Sequence, residues 1–157
     1  MILNAIQPFR HFKLEYLRLG KRKIPEHVVI KSKSKKAAVA FLHVDAFSFA
    51  HRIKNFNQLV INHKNIKFGL FRDVREPPIK SKVAAEEIEK LNSTENGQYV
   101  RMDSQSRIYF ELIFQVISDI QNRDFHAEVD QVLPVLEEII GQDFWLFRAL
   151  GNAQIKK

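Results

Sequence analysis

The spacing of apolar residues changes repeatedly along this chain, and each change marks a new element. Phe9, Phe12, Tyr16 and Leu19 recur at helical intervals behind Pro8, so Pro8 to Leu19 reads as a first helix ended by Gly20. "KRKIPEH" follows as a basic connector. "HVVI" (27–30) and "AAVAFLHV" (37–44) are apolar runs of strand length. They are joined by "KSKSKK", which has nothing to bury and must be a solvated loop.

An alternation begins after Val44. Phe49, Ile53, Phe56 and Val60 share one face of a helix over 47–62, and "IKFGLF" (66–71) is a strand. Ser81 suits the cap of a helix with buried face Ala84, Ile88 and Leu91, ended by "NSTENG", and "QYVRM" (98–102) is the next strand. Strand–helix–strand–helix–strand with short connections implies parallel strands and right-handed crossovers. The rest is helical. Ile108, Leu112, Ile113, Val116, Ile117 and Ile120 form a wide stripe over 104–121. Val129, Val132, Leu133, Leu136 and Ile140 mark a helix over 127–140 that Pro134 is expected to bend or split. "DFWLFRAL" (143–150) is a short amphipathic helix whose Phe144, Trp145 and Phe147 are expected to cover that stripe or a sheet face.

These elements predict one α/β domain with a small, mostly parallel sheet of three to five strands and flanking helices. A basic helix and hairpin occupy 1–36, a βαβαβ core 37–103, and a helical segment 104–157. A length of 157 residues with 45% hydrophobic positions and 13 Phe supports a packed core and excludes a disordered chain. The absence of Cys excludes disulfides and thiolate metal sites and fits a cytoplasmic location. No apolar run approaches the roughly 20 residues of a membrane-spanning helix, and the opening "MILNAIQPFRHF" does not read as a secretory signal.

Charge sharpens the picture once it is divided. Residues 1–82 hold 18 Lys/Arg against 5 Asp/Glu, and residues 83–157 hold 7 against 13, leaving +7 for the whole chain. Mutual neutralisation of the halves explains part of this asymmetry but leaves the surplus. A polyanionic or acidic partner for the first half explains the rest. Lys21, Arg22 and Lys23 with Lys31, Lys33, Lys35 and Lys36 bracket one short strand, and Arg52 and Lys54 extend the set. Such residues contact phosphates without reading bases.

Chemistry has fewer handholds. "FLHVD", "FGLFRD" and "YVRMD" each end a strand in an aspartate: Asp45, Asp73 and Asp103. Parallel strands share a carboxyl edge, where ligands bind at a reversal of strand order. With Glu76, the three carboxylates make a candidate site for Mg²⁺ or Mn²⁺ acting on a phosphodiester, similar to the acidic edge of metal nucleases of the PIN or Toprim sort. The competing reading is structural, because aspartate is a preferred helix cap and Arg72 and Arg75 flank Asp73. "RDVREPP" itself reads as a rigid, ion-paired turn that leaves Arg72 or Arg75 open to a recognition role. His43, His51 and His63 stand at no metal-ligand spacing, and no glycine-rich phosphate loop is present.

Three functions follow. The first is a non-enzymatic, nucleic-acid-associated domain, with a form suited to an appendage of a larger DNA-handling protein, needing no cofactor. The second is a metal-dependent nuclease or phosphoesterase. The third is an interaction module whose acidic, apolar C-terminal half docks a basic partner or a second copy.

Overall fold

The computed structural model describes residues 13–31, 36–44 and 46–150. These fall into two compact units, a sheet unit that runs to Met102 and a helical unit that begins at Asp103. In chain order the sheet unit holds β1 (Lys13–Glu15), β2 (Glu26–Lys31), β3 (Lys36–Phe41), α1 (Ala46–Asn62), β4 (Lys67–Asp73), α2 (Lys82–Ser93) and β5 (Gly97–Met102). The fold is α/β, with a five-stranded mixed sheet flanked by helices.

Strand order is β1-β2-β3-β4-β5. β2 and β3 pair antiparallel, Glu26 opposite Phe41 and Lys31 opposite Lys36, whereas β3–β4 and β4–β5 are parallel. The sheet is therefore mixed, and the expected parallel pairing holds for β3–β4 and β4–β5 but not for β2–β3. The physical reason is connection length: "KSKSKK" closes a hairpin, while a parallel crossover needs a dozen or more residues. The order also never reverses, so both crossovers run the same way and place α1 and α2 together. They pack against each other over one core of Phe49, Ile53, Phe56, Val60, Phe68, Leu70, Ala84 and Leu91.

Alternation along the strands explains the two faces. Phe68 and Leu70 of β4 join that core, while Gly69 and Phe71 face the other way. A Cβ at Gly69 would fall 2.7 Å from the Phe71 ring, so glycine leaves the space in which that ring lies.

The expected helix from Pro8 to Leu19 is corrected where it can be followed; residues 8–12 lie outside the described part. Lys13–Glu15 is a strand, and Leu17 and Leu19 turn toward the core while Arg18 is exposed. That is a two-residue period, and the Leu17 N–H donates to His27 Nε2 at 2.8 Å instead of closing a helical turn. The sheet's edge competes successfully with an aromatic spacing that suits a helix equally well.

Asparagines fix α1 laterally. Asn57 Nδ2 donates to the Glu87 carbonyl at 2.9 Å and to its carboxylate at 2.8 Å, and Lys90 Nζ reaches the same carboxylate at 2.7 Å. Burial pushes the Glu87 carboxyl up, but the hydrogen bonds from Lys90 and Asn57 and the charge of Lys90 outweigh it and hold the group below its ordinary value.

The helical unit contains α3 (Ser104–Asn122), α4 (Val129–Ile140) and α5 (Trp145–Leu150). α3 packs on α4, and the buried line of α3 is Ile113 and Ile117. Ile108 and Leu112 are 54% and 40% exposed, so the expected stripe is only partly inward. Tyr109 and Phe110 meet α5 and the residue before it instead. Tyr109 is edge-on to Phe144 at 5.7 Å and Phe110 stacks on Trp145 at 5.9 Å, while Phe144 also touches Trp145 and Phe147. Pro134 sits inside α4, which continues through it as one helix. No helix among the described residues is long and apolar enough to cross a membrane.

Two outcomes follow. Phe144 is buried and touches three other rings. Phe144→Ala should cost about 3–5 kcal/mol in chemical denaturation, more than Trp145→Ala, whose residue is only partly buried. For Glu87, a folded-state value below the unfolded one stabilises the fold at neutral pH, and this contribution is lost as pH falls through the acid range. Thermal melts of Glu87→Gln should therefore decline less steeply with acidification than those of the native chain.

Candidate functional site

The carboxyl edge of β3, β4 and β5 is the natural place for ligand chemistry, and its centre is "RDVREPP". β4 continues past the expected end at Phe71 to include Arg72 and Asp73, both buried. Arg72 follows Phe68 and Leu70 on the helix-facing side, and its guanidinium lies 5.2 Å from the centre of the Phe49 ring. Nη1 donates to the carbonyls of Leu42 at 2.9 Å and Val44 at 3.3 Å, and Nη2 donates to the Pro77 carbonyl at 3.2 Å. Glu76 Oε2 adds an ion pair at 3.8 Å. One buried cation thus fastens the segments that leave β3 and β4.

Asp73 points to the opposite side and is held by its neighbour. Arg75 Nε and Nη2 donate to both carboxylate oxygens at 2.7–3.1 Å, and the Arg75 N–H adds a bond of 2.8 Å. Asp103 caps α3 by accepting the Ser106 N–H at 2.7 Å, and the Ser106 hydrogen bonds hold its carboxyl below the usual range. Asp45 lies outside the described residues. Each described carboxylate of the candidate metal set is thus engaged locally: Asp73 by Arg75, Glu76 by Arg72, and Asp103 by a helix terminus. No group of three His, Asp or Glu side chains that could hold a metal ion occurs among the described residues. His43 and His51 are exposed, and Ser81 caps α2 as expected, accepting from the Ala84 N–H.

The basic residues divide into two clusters. Lys31 and Lys36 pair across the hairpin end of β2, and Lys31 is bound to Glu15 at 2.6 Å. Lys33 and Lys35 lie outside the described residues. Lys21, Arg22 and Lys23 precede the other end of β2, and six residues at about 3.4 Å each put roughly 20 Å between the clusters. Among the described residues, Lys31 and Lys36 therefore stand apart from Lys21, Arg22 and Lys23 along β2.

The connector carrying Lys21, Arg22 and Lys23 is built as a fixed turn. Gly20 has φ +58, a left-handed conformation that glycine adopts without penalty, and the Arg22 N–H closes on the Leu19 carbonyl at 3.1 Å. Leu19 and Ile24 anchor both sides on the core. Buried Asn55 then donates from Nδ2 to the Lys23 carbonyl at 2.8 Å, pinning the turn to α1. All three basic side chains remain exposed, and Arg52 and Lys54 project from the adjoining turn of α1. Among the described residues no carboxylate forms an ion pair with Lys21, Arg22, Lys23 or Arg52, while Lys54 lies near enough to Glu87 for its charge to help hold that carboxyl below its ordinary value.

No protein-family model matches the chain, and no curated protein or solved structure matches it. The site must be read from its own chemistry.

Sequence reasoning missed Asn55 and the inward direction of Arg72. The second was signalled by the alternation Phe68, Leu70, Arg72; the first depends on a residue 32 positions away and has no local signature. Arg72→Met should remove the donors of three carbonyls and cost about 3–5 kcal/mol. Arg72→Lys should fall between, since one ammonium cannot reproduce the planar fork. Urea titration reads both, and an unchanged midpoint for Arg72→Met would contradict the role assigned to this side chain.

Proposed function

We propose that this chain is a non-catalytic nucleic-acid-binding domain that takes backbone phosphates on the turn Lys21–Arg22–Lys23 and the adjoining Arg52 and Lys54. The observation that carries this reading is the pinned turn. Cations on a mobile loop lose conformational freedom when they bind, whereas a turn fixed by Gly20, Leu19 and Asn55 has its backbone arranged beforehand. With no carboxylate ion-paired to them among the described residues, the exposed Lys21, Arg22 and Lys23 offer their charge outward. Lys31 and Lys36, paired across the far end of β2, add a second basic site.

The contacts suit positioning on phosphates and include no recognisable base-reading set, so affinity should depend strongly on salt and weakly on sequence. The locally engaged states of Asp73, Glu76 and Asp103 favour this reading over phosphodiester cleavage at the carboxyl edge.

Fluorescence anisotropy with labelled oligonucleotides tests it. Combined Lys21→Glu, Arg22→Glu and Lys23→Glu should abolish measurable binding at physiological salt, with the melting temperature kept. Single Lys→Ala changes in the turn should each lower the slope of log affinity against log salt by about 0.7–0.9. Native affinity in the triple variant would overturn the proposal.

A further inference from the structure

We infer that the outer face of α1 is a base-stacking surface, so that the substrate of the cationic turn is single-stranded nucleic acid. This rests on the phosphate-binding reading above and names its substrate class. Phe47, His51, Lys54, Gln58 and Ile61 follow helical spacing along α1, and all five are exposed. Phe47 is 92% exposed, against 69% for the next large hydrophobic among the described residues, Ile139. Its position is dictated by the opposite face. Phe49, Ile53, Phe56 and Val60 are fully buried, and turning the helix to cover Phe47 would withdraw them from the core.

A single apolar side chain in water needs no explanation by itself. Phe47 differs in its company. α1 has no acidic residue over Ala46–Asn62, and Lys54 stands two turns along the same face, about 10 Å away at 1.5 Å per residue. Asn55 brings the Lys21–Lys23 turn alongside that stretch of helix. An open ring beside a row of cations is how sequence-tolerant single-strand binders work: the ring takes the face of a base while the cations follow the phosphates. His51, one turn from Phe47, presents a second flat ring. Duplex bases already stack on their neighbours, so Phe47 reaches one only by unstacking it. An unpaired strand offers its faces freely.

The experiment compares a labelled oligothymidylate with a duplex of equal length, using the full chain, Phe47→Ala and Phe47→Tyr. The native chain should prefer the single strand. Phe47→Ala should weaken single-strand binding about tenfold while leaving duplex affinity and the salt slope unchanged, and Phe47→Tyr should restore it. Equal affinity of the native chain for both forms, or undiminished single-strand binding by Phe47→Ala, overturns the stacking inference and leaves the phosphate reading standing. Failure of the native chain to bind either form overturns both.

Discussion

A guanidinium removed from water is tolerated only where its donors are met, and the carboxyl edge of this sheet is arranged around meeting those of Arg72. The carbonyls of Leu42, Val44 and Pro77 belong to segments leaving β3 and β4, where strand pairing ends and backbone acceptors need new donors. Arg72 supplies them from a fork too short and too planar to follow any large movement. The Phe49 ring below the guanidinium fixes the start of α1 in the same contact. Loop, strand and helix are thus set by one side chain. An edge committed in this way has its donors and carboxylates turned toward the protein's own backbone, so a ligand there would have to compete with the fold.

Asparagine extends the same logic to the rest of α1. Asn57 holds α2, and Asn96 donates to the carbonyls of Val60, His63 and Ile66 where the helix gives way to β4. Asn55 holds the basic connector on another side. With the sheet beneath and these bonds at its flanks, α1 cannot rotate about its axis. Its outer residues are exposed because every other direction is fixed, and the same constraint keeps Phe47 in water.

Most of the sheet unit was legible in the sequence because its signals are local. The period of Phe49, Ile53, Phe56 and Val60 places α1, Ser81 caps α2, and the short lysine-rich link dictates a hairpin. β1 was not legible. Three residues gain their conformation from the sheet edge and from a Glu15–Lys31 pair across 16 positions, while the Phe–Tyr spacing around them fits a helix. Strand order was hidden too, since periodicity shows that a crossover is parallel but not on which side the next strand adds. In the helical unit the stripe around Ile108 outnumbered the rings in apolar residues, yet Tyr109 and Phe110 make the aromatic contacts because flat rings pair by geometry as well as by area. Charge bias could be counted directly. Which cations are held still could not, because that follows from one tertiary hydrogen bond.

The separation of the basic clusters limits what can engage them together. Roughly 20 Å along β2 is about two screening lengths at physiological salt, so the clusters act nearly independently on a small ligand. A single phosphate or a compact acidic group touches one of them and gains little from the other. A ligand that repeats its charge along its own length gains from each cluster it reaches, releasing counterions at both. A phosphate backbone has that property, and a flexible one can also bend to the face of α1 between contacts. The spacing that divides the basic patch therefore favours an extended, pliable polyanion over a compact anion.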